Sequence, residues 1–160
     1  MRVLGFDPGT ATTGYGIVER RGTRLRHIAH GCILTAAHLH FSERLRLIYD
    51  EATALVAQFS PEAIAIEKIY FSRNVTTAIS VAQARGVIAL TASQAHVPIS
   101  EYSPLEVKNA VVGYGKATKR QVQEMVRILL NLPEIPKPDD ASDALALAIC
   151  RLHDNAPSIE

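Results

Sequence analysis

Cysteine, long hydrophobic runs and strong net charge are all scarce in this sequence, and each scarcity excludes a class of protein. Its 160 residues include only two cysteines, Cys32 and Cys150, which lie in apolar segments without the spacing of metal ligands. We interpret both as small buried residues of a protein from a reducing compartment. No apolar stretch approaches the roughly 20 residues of a membrane span, and residues 1–7 are too short for a signal peptide. These absences predict a cytoplasmic protein with no membrane partner.

The net charge of +1 says little about partners until the distribution of charges along the chain is considered. Arginines are concentrated between positions 20 and 46, and a second basic group lies between positions 108 and 127. A nearly neutral total can hide an acidic cleft rimmed by basic side chains, a pattern that suits a polyanionic substrate. The alternative for any single arginine is an ordinary solvated surface.

The hydrophobic pattern predicts one α/β domain over residues 1–160, with about 155–160 as a flexible tail. Period-two alternation and turn residues predict five strands, at 1–7, 13–19, 25–35, 62–67 and 97–102. Helical spacing predicts helices at 42–59, 75–95 and about 140–152, with two more beginning at Ser103 and near Lys119. Three leading strands favour antiparallel pairing, and the later alternation favours parallel crossovers. We therefore expect a mixed five-stranded sheet flanked by helices on both faces.

Four carboxylates are the strongest functional signal. Asp7 and Glu67 each end a predicted strand, and Asp140 and Asp143 lie three residues apart on the last helix, where they share a face. Four acids that converge need a cation, because like charges in close proximity cannot all stay ionised unaided. Oxygen ligands select hard ions, which favours Mg²⁺ or Mn²⁺. Two such ions per active site commonly clamp the reacting oxygens of a phosphodiester.

Each acid also has a structural alternative. Asp7 begins an Asp-Pro-Gly turn, in which aspartate is common. Glu67 has the neighbouring Lys68 as a candidate surface partner, and acids at a helix N-terminus complement the helix dipole. Asp139 also precedes the last helix, and we assign it to capping or to solvent.

Two loops carry candidate DNA-binding residues. Tyr70 and Phe71 follow Glu67, beside Arg73, and adjacent aromatics in a polar loop suit stacking on bases. Residues 113–119 form a flexible basic loop that opens a helix, and its lysines suit a phosphate. The alternatives are packing of an aromatic beneath its loop and a solvated basic segment. The candidates for DNA contact are Tyr70, Phe71, Arg73, Lys108, Lys116, Lys119 and Arg120.

Five motifs together resemble the RuvC-type bacterial Holliday-junction resolvases. They occur in the same order as in that family and span nearly the whole chain. They are Asp7-Pro-Gly-Thr, the strand ending in Glu67, Gln83-Ala-Arg-Gly86, Val111-Val-Gly-Tyr-Gly115 and Asp140-Ala-Ser-Asp-Ala-Leu-Ala146. Each motif is weak alone, and the set is specific.

The resemblance implies a ribonuclease H-like fold and a homodimer that makes paired nicks in four-way DNA junctions during recombination and repair. It implies that Asp7, Glu67, Asp140 and Asp143 are the catalytic, metal-binding acids. It links Lys108 and Lys119 to DNA binding and catalysis, and places Tyr70 where the family carries an aromatic that stacks at the crossover. Branch-migration motor proteins are implied as partners by the resemblance alone. The small residues from Ala82 to Ala89 offer a surface for the dimer.

Other functions remain open at this point. Asp7-Pro-Gly-Thr also suits a phosphate loop of the actin and sugar-kinase superfold, which would make the chain an ATP-binding protein, although that architecture needs two lobes. A related ribonuclease H-like nuclease with another nucleic-acid substrate, or a junction-binding module without catalysis, is the third possibility. Tight binding of ATP without binding of DNA would favour the ATP-binding protein.

Overall fold

The computed structural model describes residues 1–69 and 75–154, which contain five strands and five helices. Most elements begin and end within two residues of the positions predicted from the sequence. In chain order they are β1 (Arg2–Asp7), β2 (Thr12–Arg21), β3 (Arg24–Leu34), α1 (Phe41–Phe59), β4 (Ala63–Glu67), α2 (Val75–Gln94), β5 (Ile99–Tyr102), α3 (Pro104–Val112), α4 (Lys119–Leu129) and α5 (Asp139–His153).

The five strands form one mixed sheet in the order β3-β2-β1-β4-β5. The first three strands pair antiparallel, whereas β4 lies parallel to both β1 and β5. Short turns allow the antiparallel pairs, and helices α1 and α2 supply the crossovers that parallel pairs require. The mixed five-stranded sheet predicted from the sequence is confirmed.

Alternation along the strands divides the apolar residues between two cores, one on each face of the sheet. Leu4 and Phe6 of β1 face α1 and α2, where they join Ile48 and Ile88. Val3 faces the other way, into a core formed with α3, α4 and α5. All of these side chains are fully buried or nearly so. The prediction of helices on both faces is therefore confirmed.

The helix starts illustrate which local predictions hold. Ser103 caps α3 with its side chain, Pro104 follows, and Glu106 accepts a hydrogen bond from the Ser103 backbone, as the capping box predicts. Helix α5 instead begins at Asp139 after Pro138, with no side-chain cap. Asp139 is thus not a cap. Its side chain is exposed, as the assignment to capping or to solvent allowed, and its carboxylate also accepts a hydrogen bond from Gln123 at 3.1 Å.

Helix α2 has nearly the predicted bounds but is more apolar than we expected from the sequence. Among the residues that the structure describes, it is the one helix whose length and composition would let it cross a membrane, so the prediction that no such segment exists was wrong. Apolar residues lie on two sides of this helix. Ala84 and Ile88 face the core, whereas Ile79 and Leu90 are more than half exposed. Gly86 lies on the exposed side, where an added Cβ would meet no atom within 4 Å, so it does not serve close packing within the subunit.

Candidate active site

Asp7 and Glu67 lie side by side at one edge of the sheet. Each is the last residue of its strand, and β1 and β4 are parallel neighbours in which Phe6 is paired with Ile66. The carboxyl ends of parallel strands meet at the same edge, so the next residue of each strand projects into the same region. Strand pairing alone therefore brings the first two predicted acids together.

Three glycines bring the other two acids to this edge. Gly5 and Gly16 are paired across β1 and β2, and Gly14 is paired with Asp7. A Cβ on Gly5 would lie 1.9 Å from the carbonyl oxygen of Ala144. A Cβ on Gly14 would lie 2.1 Å from the carbonyl oxygen of Asp140. Because these positions have no side chains, the backbone of α5 rests directly on the sheet and carries its acids to the end of β1.

Three of the four acids, Asp7, Glu67 and Asp143, line a cavity of about 220 Å³ between the sheet edge and helices α3, α4 and α5, and Asp140 does not. Pro104, Val107 and Val122 form part of its apolar wall. Asp140 lies at the start of α5, and its charge acts on both Asp7 and Asp143. The charged residues that line the cavity are Asp7, Glu67, Asp143, Lys108 and Lys119.

Burial and mutual repulsion shape the electrostatics of this site. Burial, followed by the charges of Asp143, Glu67 and Asp140, raises the pKa of Asp7 from 3.8 to about 7. Burial and the charge of Asp143 also raise the pKa of Glu67. Burial raises the pKa of Asp143, although the hydrogen bond and charge of Lys119 oppose this rise. At neutral pH the acids repel one another and hold negative charge that an added cation would stabilise.

Lys119 is the cation in contact with this acidic group. Its Nζ donates to Asp143 Oδ2 at 3.0 Å and lies 3.5 Å from Asp139 Oδ2. Burial opposes ionisation of Lys119, but the hydrogen bonds and charges of Asp143 and Asp139 outweigh it and raise the lysine's pKa. Lys108 is the second lysine that lines the cavity, so the two lysines compensate only part of the negative charge of Asp7, Glu67, Asp140 and Asp143.

The donor groups suit a hard divalent cation, because the acids that face the cavity offer only carboxylate oxygens. Within residues 1–69 and 75–154, no three carboxylates, histidines or cysteines are arranged as ligands of a single ion. Asp7, Glu67 and Asp143 therefore share a cavity, and Asp140 is linked to Asp7 and Asp143 through its charge.

The other predicted DNA-binding residues have different positions. Lys108 lines the cavity, whereas Lys116 and Arg120 are exposed where the α3–α4 loop leads into α4. Tyr70, Phe71 and Arg73 lie outside the described residues, as does the predicted tail, so the stacking role stays a prediction. The structure thus brings two of the basic candidates to the acids and leaves two on the neighbouring surface.

Lys68 does not pair with Glu67, the alternative considered from the sequence. It forms an ion pair with Glu106 at 3.2 Å instead. Lys68 and Arg85 line a second cavity, of about 270 Å³, that shares Asp7 and Glu67 with the first. This cavity was not predicted, because it forms between α2 and the sheet edge, two elements far apart in sequence.

The prediction that both cysteines are buried was wrong for Cys32. Cys150 is buried as expected, but Cys32 is partly exposed on β3, where it is paired with Gly14. Burial and the charge of Asp140 raise the pKa of its thiol. The position beside a glycine exposes Cys32 to the start of α5, a neighbour that the local sequence does not reveal.

Comparison with known proteins supports the resemblance inferred from the motifs. Residues 3–151 match the family model "Crossover junction endodeoxyribonuclease RuvC". Two relatives with this name, from Desulfitobacterium hafniense and Syntrophomonas wolfei, are each 54% identical over 153 residues. The match covers 96% of this chain and 93% and 89% of theirs.

The fold is also similar to that of a RuvC protein of known structure. The structure described as T. thermophilus RuvC in complex with Holliday junction substrate superposes with a TM-score of 0.92 at 35% identity, covering 96% of this chain and 93% of that one. The ribonuclease H-like fold predicted from the resemblance is confirmed. In that related protein, the same architecture binds a four-way DNA junction.

Proposed function

Since this chain belongs to the crossover junction endodeoxyribonuclease RuvC family, we propose that it resolves four-way DNA junctions by paired, symmetric nicks during recombination and repair. The observation that carries the proposal is the cavity that brings Asp7, Glu67 and Asp143 together beside Lys119. The family relationship supports the junction as the substrate, and the acids support hydrolysis of a phosphodiester. The relatives are bacterial, which supports action in the bacterial cytoplasm.

Asp7, Glu67, Asp140 and Asp143 would hold two divalent cations, Mg²⁺ or Mn²⁺. The raised pKa values of Asp7, Glu67 and Asp143 support this, because a bound dication stabilises the charged carboxylates that now repel one another. When bound, such ions activate a water and stabilise the leaving oxygen. The protein orients the ligands: Asp7 and Glu67 through the sheet, and Asp140 and Asp143 through α5.

Lys119 and Lys108 would act on the DNA backbone. Lys119 already holds Asp143 by a hydrogen bond, so it orients this ligand and places a positive charge beside the cavity. A phosphate that enters would take part of its charge compensation from Lys119 and Lys108. Lys116 and Arg120 would extend this basic surface along the DNA strand. Tyr70, Phe71 and Arg73, which follow Glu67 in the chain, would contact bases at the crossover.

The exposed side of α2 would form the homodimer. Ile79 is 55% exposed and Leu90 is 51% exposed, with Ala82 and Gly86 exposed between them. An apolar helix face interrupted by small residues lets two helices approach closely, and two-fold symmetry would present two active sites to the two symmetric strands of a junction. Ile79→Glu should yield monomers by sedimentation and abolish paired nicking. Ile128→Glu, at a similarly exposed position on α4, should leave the dimer intact.

Cleavage of a synthetic four-way junction tests the proposed activity. We expect nicking with Mg²⁺ or Mn²⁺, loss of nicking in EDTA, and little cleavage of linear duplex or of an RNA–DNA hybrid. Asp7→Asn should abolish nicking while junction binding is retained. Asp50→Asn provides a matched control, because this exposed acid lies on α1. Undiminished cleavage by Asp7→Asn would contradict the assignment of the acids, and equal cleavage of all three substrates would contradict junction selectivity.

A further inference from the structure

The turn that follows Asp7 is stabilised by its own threonines. The Thr13 hydroxyl donates to the carbonyl oxygen of Gly9 at 2.7 Å, and the Gly9 N–H donates to Thr13 Oγ1 at 3.3 Å. Thr13 is fully buried. This pair of hydrogen bonds closes the turn within itself, but does not determine where the turn lies relative to the helices.

Thr10 connects the same turn to α2. Its hydroxyl donates to the carbonyl oxygen of Ser80 at 2.9 Å and also contacts the Ser80 hydroxyl. A threonine hydroxyl has one proton, so Ser80 Oγ is the donor in the second contact. Thr10 is only 8% exposed, which shields both hydrogen bonds from water. Two hydrogen bonds between one residue pair resist sliding of the turn along α2.

Two further residues connect Thr10 to the opposite side. The Thr35 hydroxyl donates to the carbonyl oxygen of Thr10, and Arg44 Nε donates to Thr35 Oγ1 at 2.8 Å. The Thr35 N–H also donates to the carbonyl oxygen of Ala11 at 3.1 Å. The turn is therefore held from α2 on one side and from β3 and α1 on the other.

The contact with α2 matters because α2 does not pack closely against the acids themselves. The second cavity separates them: Ala78 and Val81 line one wall, while Asp7 and Glu67 line the other. Close packing across this space cannot set the distance between the helix and the acids. The Thr10–Ser80 pair joins the helix to the turn that directly follows Asp7, and Ser80 is next in sequence to Ile79 of the proposed dimer surface.

We propose that Thr10 and Ser80 are positioning residues through which helix α2 restrains the turn that follows Asp7, refining the position that β1 gives this acid and coupling the dimer surface to the acidic site. This inference rests on the proposed function, since it assigns a role to Thr10 in metal-dependent cleavage. Thr10 touches neither the metal ligands' oxygens nor the DNA in this role; it acts through the backbone of the turn.

The test compares metal dependence across four variants: Thr10→Val, Thr10→Ser, Ser80→Ala and Thr91→Val. Thr10→Val removes both hydrogen bonds, and we expect the Mg²⁺ concentration for half-maximal junction cleavage to rise about 10-fold or more, as for other residues that orient metal ligands. Ser80→Ala keeps the carbonyl acceptor and should give a smaller rise. Thr10→Ser should restore the wild-type value. Saturating Mg²⁺ should return much of the lost rate.

Thr91→Val is the matched control. Thr91 is a buried hydroxyl on the same helix whose hydrogen bond runs to Val87 of α2 itself at 3.0 Å. It should lower the melting temperature as Thr10→Val does, without a change in the Mg²⁺ requirement. Dimer mass and junction affinity in EDTA should stay at wild-type values in all four variants.

The outcomes separate this inference from the proposed function. Wild-type protein that fails to cut the junction would overturn the proposed function itself. Wild-type cleavage together with an unchanged Mg²⁺ requirement in Thr10→Val would overturn only the positioning role. An equal change in Thr91→Val, or failure of Thr10→Ser to restore the value, would also overturn it, because the effect would then reflect general loss of stability.

Discussion

Asp7→Asn should stabilise the metal-free protein even though we expect it to abolish cleavage. The ordinary pKa of an aspartate, 3.8, applies to Asp7 in the unfolded chain, and the folded protein raises this pKa to about 7. The folded state therefore binds the proton of Asp7 more tightly than the unfolded state does. Well below pH 3.8 both states are protonated and Asp7 has no effect. Between about pH 4 and pH 7 the unfolded state loses the proton first, so stability falls as the pH rises, and above about pH 7 the full penalty is present.

The size of this penalty follows from the change in pKa. Each tenfold change in acid dissociation is worth about 1.4 kcal/mol, so a rise from 3.8 to about 7 corresponds to at most about 4 kcal/mol in the free energy of unfolding. Asparagine has nearly the same shape and no charge. Allowing for partial solvation, we expect Asp7→Asn to add about 2–4 kcal/mol at about pH 8 in EDTA. For a domain of this size that is a rise in melting temperature of about 4–16 °C.

Urea unfolding of wild type and Asp7→Asn at pH 5 and pH 8, in EDTA and in Mg²⁺, measures this difference. At pH 5 the advantage of the variant should fall by more than half, because wild-type Asp7 then keeps its proton in the folded state. Mg²⁺ should stabilise wild type more than the variant. Asp50→Asn should change nothing at either pH. A variant no more stable than wild type at pH 8 in EDTA, or an advantage independent of pH, would refute the electrostatic reasoning.

Two other predictions concern the elements that surround Asp7. Gly14→Ala should destabilise the fold by about 3 kcal/mol or more in urea unfolding, because its Cβ would lie 2.1 Å from the Asp140 carbonyl oxygen. In the monomeric Ile79→Glu background, where no partner helix meets the added Cβ and the space around it is open, Gly86→Ala should instead add up to about 1 kcal/mol to helix stability. Equal effects of the two substitutions would contradict the close packing of α5. Lys119→Met should lower the unfolding free energy at pH 8 in EDTA by about 0.5–1 kcal/mol, since this half-exposed lysine hydrogen-bonds Asp143. A gain in stability would show that Lys119 does not compensate the acids.

Local patterns predicted the elements well because local interactions decide them. The capping box at Ser103 needs only residues three positions apart, and the strand that ends in Glu67 is defined by its own alternation. The antiparallel start of the sheet follows from short turns. The meeting of Asp7 with Glu67 could also be anticipated, since it requires only that two parallel strands be neighbours.

Features that depend on tertiary packing could not be predicted in the same way. Cys32 was expected to be buried, and its partial exposure depends on where α5 crosses the sheet. Asp139 is exposed, as the assignment to capping or to solvent allowed, but the hydrogen bond that its carboxylate accepts from Gln123 of another helix was not predicted. The hydroxyl pair of Thr10 and Ser80 joins residues 70 positions apart. No local pattern encodes such contacts, because the partner is chosen by the assembled fold.

The glycines beneath α5 would have a consequence for the ion selectivity of the proposed metal centre. Because Gly5 and Gly14 leave main chain against main chain, the gap between the sheet-borne and helix-borne acids is a property of the backbone. Exchanging surface side chains would leave that gap unchanged, whereas a single methyl group at either glycine would widen it. In the proposed metal centre, the ionic radius accepted would therefore be governed by two positions that contribute no ligand at all.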